Sequence, residues 1–384
     1  MKLSVAPLLL SGNALAFLSP NPAFYGVRPN RALSSTLLED IKADTNTPVV
    51  ESQMSVRAPL KWLGPYPSLA LRFPDLATSS QRERNATGVS LDFVLDTAAN
   101  TNTINAQVSG ELGLEVVGRA LPGVGASGVM KGGDTYLLGA CQLEGLSNGE
   151  EPFTFMTDLT ASALPIASPV SAGLLSLAFL QCFQGGVEFV WGRFEDGEMT
   201  EIPSVTFHGD NSRSIEALQR VPITRIPITQ LPSVTIKVNG VEMPALLDTG
   251  SPITVLNSQA AVAAGIATVN LPSMNEQTNP FSKMAASFKV AQAAGRGDVL
   301  QLADGHGQLV NLVKSLEKVE VEVVGDGKDA IDFGSSNLFV GDLPGLVALG
   351  GLGVDSPPAV VLGMDVLRKR PRMWLRAQQN EVFF

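Results

Sequence analysis

The sequence predicts an all-β protein of two related lobes, each of which carries one aspartate on the same local scaffold. Three observations lead to this prediction: the composition, a repeat centred on an aspartate, and a repeated apolar segment downstream of it. The 384 residues include 37 Gly and 25 Pro, and 45% of them are hydrophobic. Frequent Gly, Pro and Val are typical of short strands joined by turns rather than of helix bundles. Once a leader is removed, the length suits two domains of ordinary size.

The aspartate repeat has flanks that match without a gap. Residues 95–98 read Leu-Asp-Thr-Ala, and residues 247–250 read Leu-Asp-Thr-Gly. An Asn, a Gln and a Gly follow each aspartate at equal spacings: Asn105, Gln107 and Gly113 after Asp96, and Asn257, Gln259 and Gly265 after Asp248. Two carboxylates brought face to face form an acid–base pair. The repeat therefore points to peptide hydrolysis by an activated water.

Strand patterns surround each aspartate in the same order. In each half an alternating segment is followed by a strand that ends on the aspartate, and Asn239-Gly240 predicts a hairpin turn between the two in the second half. An apolar run later in each half predicts a strand buried on both faces, with another strand candidate after it. The predicted strands are residues 67–73, 89–95, 173–180 and 187–191, then 232–238, 241–247, 360–367 and 373–375; short helices are predicted at 106–112 and 258–264.

Over roughly residues 60–384 the sequence resembles the two-lobed, pepsin-like aspartic proteases, and its lobes resemble the single-lobe retropepsins. The family pattern is two hydrophobic residues before Asp-Thr/Ser-Gly, a Gly-rich flap, and later two hydrophobic residues before Gly. The matching residues are Val94-Leu95-Asp96-Thr97-Ala98 with Leu174-Leu175-Ser176, and Leu246-Leu247-Asp248-Thr249-Gly250 with Val361-Leu362-Gly363. The resemblance is greatest to two-lobed, retropepsin-like aspartyl protease relatives of plants and algae.

The resemblance implies a bilobal aspartic protease fold with pseudo-twofold symmetry and a cleft between the lobes. It implies that Asp96 and Asp248 form a catalytic dyad, that Thr97 and Thr249 bond across the lobes, and that Ala98 and Gly250 complete the two loops. The flap candidates are Gly123, Gly125 and Gly128 in the first lobe, and Gly305 and Gly307 in the second. The implied substrate is a peptide or protein bound extended in the cleft.

Two departures from the family pattern lie in the first lobe, where Ala98 and Ser176 stand in place of glycines. Glycine is used where the backbone needs a positive φ or a close approach. Three hypotheses follow. The chain is an aspartic endopeptidase, a catalytically inactive peptide-binding module on the same fold, or a structural component of a plastid assembly.

The remaining composition excludes several other classes of function. The net charge of −10 argues against a nucleic-acid surface. The two histidines, His208 and His306, and the two cysteines, Cys141 and Cys182, have no zinc-site spacing, and we expect neither metal nor cofactor. Neither histidine has an evident nucleophile partner. The cysteines could form one disulfide, but the apolar run around Cys182 favours small core residues.

The first residues read as a two-part targeting leader. An apolar stretch and Ala14-Leu15-Ala16 predict a signal peptide at residues 1–16. Phe17 and an acid-free, Arg- and Ser-containing segment predict a transit peptide and linker at 17–50, as in algae with secondary plastids. Plain secretion or an endomembrane location is the alternative. We expect lobes at 51–212 and 213–384, no transmembrane helix in the mature protein, and a monomer.

Overall fold

The structure is a computed structural model that describes residues 16–17, 55–120, 123–125, 128–130, 132–144, 154–164, 171–195, 198–210, 217–227, 229–269, 279–303, 309–328, 330–343 and 357–384. The predicted leader lies almost entirely outside them and stays a prediction, as does the boundary between the lobes. No helix within the described ranges has the length and apolar character that crossing a membrane requires.

The first half of the chain is built mainly from strands. They are β1 (Ala16–Phe17), β2 (Ser55–Pro59), β3 (Lys61–Leu63), β4 (Tyr66–Phe73), β5 (Val89–Leu95), β6 (Thr103–Asn105), β7 (Val116–Arg119), β8 (Gly123–Gly125), β9 (Gly128–Met130), β10 (Asp134–Leu143), β11 (Thr154–Leu164), β12 (Gly173–Leu175), β13 (Gly186–Val190), β14 (Arg193–Glu195), β15 (Glu198–Glu201) and β16 (Ser204–His208). The helices are α1 (Ser79–Glu83), α2 (Ala106–Leu112) and α3 (Leu177–Leu180).

The second half of the chain is also built mainly from strands. Its strands are β17 (Arg220–Pro222), β18 (Thr224–Arg225), β19 (Pro232–Val238), β20 (Val241–Leu247), β21 (Val255–Leu256), β22 (Val299–Ala303), β23 (Leu309–Lys314), β24 (Val319–Val324), β25 (Ala330–Ser336), β26 (Phe339–Val340), β27 (Val360–Leu362), β28 (Arg372–Arg376) and β29 (Glu381–Phe383). Its helices are α4 (Ser258–Ala263), α5 (Pro280–Gly295) and α6 (Met364–Leu367), with 3-10 turns at Asp326–Lys328 and Ala377–Gln379.

Each half forms a large sheet in which the aspartate-bearing strand has the same neighbours. In the eight-stranded sheet β5 pairs antiparallel with β4 and parallel with β12, so that Leu95 lies beside Leu175. In the second sheet β20 pairs antiparallel with β19 and parallel with β27, so that Leu247 lies beside Leu362. The ends of these strands are buried on both faces, as parallel pairing requires. The all-β, bilobal fold predicted from the sequence is confirmed.

A six-stranded sheet joins the two halves in the order β17-β29-β28-β13-β16-β2. Its central pair is β13 of the first half and β28 of the second, with Phe189 opposite Met373. A continuous cluster of buried apolar residues extends from Phe93 in the first half to Val361 in the second. The halves are therefore held together by both backbone pairing and a shared core.

The matched asparagines and glycines of the repeat delimit the helix after each aspartate. The Asn105 side chain accepts a hydrogen bond from the Gln107 N–H at the start of α2, and Asn257 accepts one from the Ala260 N–H at the start of α4. Gly113 and Gly265 follow these helices with positive φ values of 59° and 64°. The predicted Asn239-Gly240 turn is also present, with φ values of 48° and 80°.

The two cysteines differ in environment. Both are free; Cys141 is buried, as expected, but Cys182 is exposed. The expectation of a core position for Cys182 is wrong, because residue 182 lies on the turn after α3 rather than within the buried strand of the apolar run.

Candidate active site

The two aspartates follow the paired inner strands of their sheets. The Asp96 N–H donates to the Leu175 carbonyl at 2.9 Å, and the Asp248 N–H donates to the Leu362 carbonyl at 3.1 Å. Each parallel pair is thereby extended by one residue and delivers its aspartate at an equivalent position. The two loops are related by the same local hydrogen bonds as well as by sequence.

Thr97 and Thr249 lock the two loops together. The Thr97 hydroxyl donates to the Leu247 carbonyl, and the Thr249 hydroxyl donates to the Leu95 carbonyl, both at 2.7 Å. Each threonine N–H donates in turn to the hydroxyl of the other threonine, at 3.1 Å and 3.0 Å. All of these groups are buried, so each hydrogen bond satisfies a polar group that has no access to solvent.

The carboxylates are buried and only half satisfied. Oδ1 of Asp96 accepts from the Ala98 N–H and Oδ1 of Asp248 accepts from the Gly250 N–H, both at 2.8 Å. Oδ2 of each aspartate has no hydrogen-bond partner among the described residues. These two Oδ2 atoms are therefore the carboxyl oxygens that can accept a further hydrogen bond.

Burial raises the pKa of both acids. It raises the pKa of Asp96 to about 7, against the opposing effect of N–H groups from Ala98 and Ala99. Burial first, and then the charge of Asp96, raise the pKa of Asp248 well above its ordinary value. The two carboxyls therefore interact, and at mildly acidic pH the pair holds protons that exposed carboxylates would lose.

The residue after each Asp-Thr pair differs between the loops. A Cβ atom added to Gly250 would overlap the carboxyl group of Asp96. The equivalent residue, Ala98, carries a Cβ and is fully buried. Because real atoms cannot overlap in this way, Asp248 cannot approach Ala98 as closely as Asp96 approaches Gly250. The dyad is asymmetric at this point.

The second departure, Ser176, is accommodated by a different hydrogen-bond arrangement. Its N–H and its hydroxyl both donate to Oδ1 of Asn102, at 2.9 Å and 3.0 Å. In the other lobe the equivalent Gly363 N–H donates to the hydroxyl of Thr254 at 3.0 Å, and Thr254 donates to Asp365 at 2.6 Å. The first-lobe loop is therefore held by Asn102 and Ser176 where the second uses Thr254.

Tyr66 is a residue near the dyad that the sequence interpretation missed. It packs, half-buried, against Val94, Ala99 and Leu174 around the first-lobe loop. Burial, followed by the charges of Asp248 and Asp96, raises the pKa of Tyr66 to about 12. No local motif marks Tyr66, because it precedes Asp96 by a complete strand and a long polar loop. Only the pairing of β4 with β5 brings it to the site.

The flap candidates are only partly described. Gly123 and Gly125 lie on β8 and Gly128 on β9, which pair as an antiparallel hairpin with β1 beside β8. Gly305 and Gly307 lie outside the described residues, in the connection between the paired strands β22 and β23. A hairpin is thus present in the first lobe where the flap is predicted, and paired strands flank the predicted position in the second.

His208, the histidine within the described part of the chain, does not join the aspartates. His306 lies outside the described residues. His208 is buried in the six-stranded sheet, where Nδ1 is 2.9 Å from the Ser55 hydroxyl and Nε2 is 3.1 Å from Glu188 Oε2. Its ring stacks on Trp374. The sequence shows no evident nucleophile partner for His208, and pairing of β2 with β16 brings the Ser55 hydroxyl to it from a distant part of the chain. Among the described residues no cluster of His, Cys, Asp and Glu could hold a metal ion.

The loop that carries Asp248 is similar to a known protein family. The sequence model of the aspartyl protease family matches residues 234–305, which include Asp248, Thr249 and Gly250. Over these residues the chain is similar to the aspartyl protease family. The match lies in the lobe that keeps Gly250, and the first lobe has an equivalent strand pair, loop and threonine. No curated protein matches this chain.

Solved structures with a similar fold include two basic 7S globulins. Basic 7S globulin from soybean shares 13% identity, with coverage of 86% of this chain and 96% of the globulin, at a TM-score of 0.40. Conglutin gamma, a basic 7S globulin from lupine seeds, shares 13% identity, with coverage of 86% and 95% respectively, at a TM-score of 0.43.

Proposed function

We propose that this chain is an aspartic-type endopeptidase that hydrolyses peptide bonds through a water activated by Asp96 and Asp248. The observation that carries the proposal is the pair of buried, interacting carboxyls on mirrored loops, locked by Thr97 and Thr249. A single Asp-Thr turn can form without a second Asp-Thr loop bound to it. Two of them joined across the lobes supply both members of an acid–base pair.

The raised pKa of each carboxyl fits a mechanism in which one carboxyl acts as a base and the other as an acid. When the pair holds one proton, the ionised carboxylate removes a proton from a bound water, which attacks the scissile carbonyl. The protonated carboxyl donates a hydrogen bond to that carbonyl and then transfers its proton to the departing amine. The unpartnered Oδ2 atoms of Asp96 and Asp248 are the oxygens available for these contacts.

The second candidate function is a catalytically inactive peptide-binding module. Two observations favour it: the side chains of Asp96 and Asp248 have no exposed surface, and the methyl group of Ala98 occupies a position that is glycine in the other lobe. A peptide bound in the cleft would then never reach a water held by both carboxylates.

A cleavage assay separates the two functions. Purified residues 50–384 are incubated with a mixed peptide library from pH 3 to pH 8, with and without pepstatin, and the products are identified by mass spectrometry. The endopeptidase predicts internal cleavage that pepstatin inhibits. The binding module predicts that peptides are retained without cleavage at every pH.

We also propose import into a plastid and action as a monomer on peptide or protein substrates. The plastid proposal is supported by the Ala14-Leu15-Ala16 signature followed by Phe17. A fluorescent fusion of residues 1–50 should enter the plastid of a diatom-like cell, and Phe17→Ala should keep it out of the stroma. Secretion of the unmodified fusion into the medium would reject plastid import. Sedimentation of residues 50–384 at the mass of a dimer would reject the monomer.

A further inference from the structure

The strand register places Tyr66 beside the dyad. In the pairing of β4 with β5, Ser68 lies opposite Val94. Because the strands are antiparallel, Tyr66, two positions before Ser68, is level with Asp96, two positions after Val94. Tyr66 also packs against a buried cluster that includes Ala99, the residue after the Asp-Thr-Ala turn, which agrees with this placement.

The phenol is a donor with no protein acceptor in the described part of the chain. Tyr66 is half-buried, and no described residue forms a hydrogen bond with its hydroxyl. Burial, and then the nearby carboxyls of Asp248 and Asp96, raise its pKa to about 12. The hydroxyl therefore stays protonated over the whole range in which the dyad titrates, and it can donate a hydrogen bond throughout.

The other lobe has no equivalent group. In the pairing of β19 with β20, Ser233 lies opposite Leu246, as Ser68 lies opposite Val94. The residue equivalent to Tyr66 is therefore Leu231, which is fully buried and has no polar side-chain atom. The pseudo-twofold symmetry is broken by one unpaired donor on the first-lobe side.

We propose that Tyr66 is a substrate-binding residue, whose hydroxyl donates a hydrogen bond to a backbone carbonyl of an extended peptide held across Asp96 and Asp248. This inference rests on the proposed peptide cleft. Backbone carbonyls are present in every peptide, so this contact fixes the position of the bound chain on the first-lobe side rather than selecting a side chain.

Tyr66→Phe tests the inference because it removes the hydroxyl and keeps the ring against Val94, Ala99 and Leu174. Tyr136→Phe is the matched control, since Tyr136 is a partly buried tyrosine on β10. For Tyr66→Phe we expect KM for a cleaved peptide and Kd for pepstatin to rise about threefold to tenfold, the range for one uncharged hydrogen bond. We expect kcat to change less than twofold, and the unfolding midpoint and the Tyr136→Phe constants to match the wild type.

Peptide binding by calorimetry separates failure of this inference from failure of the proposed function. If wild-type protein binds pepstatin but cleaves nothing, the endopeptidase is rejected, and weaker binding by Tyr66→Phe still supports the contact. Equal Kd and KM values in wild type and Tyr66→Phe would overturn the contact whether or not the protein is a protease. Absence of both binding and cleavage in the wild type would overturn the inference together with the peptide cleft.

Discussion

Asn102 accepts two hydrogen bonds from Ser176, one from the backbone N–H and one from the hydroxyl. Asn102 lies in the loop after Asp96, and Ser176 follows the strand that pairs with the aspartate strand. The serine, which departs from the family pattern, is thus matched to a change at Asn102. In the second lobe the equivalent pair is Thr254 and Gly363.

This relationship predicts that Asn102 and Ser176 are energetically coupled. Ser176→Gly removes one donor and Asn102→Thr removes the acceptor of both, so each single variant loses stability. The double variant recreates the Thr254 and Gly363 pair and should recover about 0.5–1.5 kcal/mol of the summed loss, as expected for one buried hydrogen bond. Urea unfolding of the four proteins measures this coupling. Strict additivity would show that the two residues act independently.

The reciprocal hydrogen bonds of Thr97 and Thr249 predict a large loss of stability when one of the two hydroxyls is removed. Thr97→Val keeps the shape but leaves the Leu247 carbonyl and the Thr249 N–H without their partner. We expect a loss of about 2–4 kcal/mol in the free energy of unfolding, because two buried polar groups lose a hydrogen bond. Thr97→Ser keeps the hydroxyl and is the control. Equal unfolding midpoints for the Val and Ser variants would contradict the role of the hydroxyl.

The asymmetry between Ala98 and Gly250 predicts opposite outcomes for reciprocal substitutions. Gly250→Ala forces a methyl group into the Asp96 carboxyl and should lower kcat/KM at least tenfold and destabilise the fold by about 1–3 kcal/mol. Ala98→Gly restores the second-lobe residue and should keep or raise kcat/KM. Gly110→Ala, where an added Cβ has open space, is the control for a methyl group alone. Equal kcat/KM and equal stability of Gly250→Ala and Gly110→Ala would contradict an overlap between the added methyl group and Asp96.

Much of this arrangement could be predicted from the sequence, because the repeat is local. The strand before each aspartate and the helix after it follow from the sequence pattern, and the caps formed by Asn105 and Asn257 are seen only in the structure. What could not be predicted depends on which strands become neighbours. Tyr66 reaches the site only through β4, and Ser55 reaches His208 only through the edge strand β2. Hydrophobic pattern shows that a strand is buried, but it does not identify its partner.

The raised pKa of Asp96 predicts that Asp96→Asn stabilises the protein near neutral pH. A carboxyl with a folded-state pKa of about 7 and an ordinary value of 3.8 holds its proton more tightly in the folded state. Stability from this group is therefore complete below the ordinary value and is lost as pH rises towards 7. The Asn side chain of Asp96→Asn does not titrate, so the variant does not lose this stability as pH rises.

Urea unfolding of wild type and Asp96→Asn at pH 4 and pH 7.5 checks this prediction. The variant should gain on the order of 4 kcal/mol relative to wild type between the two pH values. Asp75→Asn, at an exposed aspartate, is the control for loss of a charge. A constant difference between Asp96→Asn and wild type would contradict the raised pKa.

The most direct test of the central claim is peptide cleavage by Asp96→Asn and Asp248→Asn, each compared with wild type. Asp92→Asn is the matched control, because Asp92 lies on β5 just before Asp96 and forms an ion pair with Lys61 at the surface. Circular dichroism verifies that all four proteins are folded. The account predicts that wild type and Asp92→Asn cleave, because each keeps two carboxyls that can hold one proton between them, and that both dyad variants are inactive. Cleavage by Asp248→Asn at the wild-type rate would contradict the dyad mechanism.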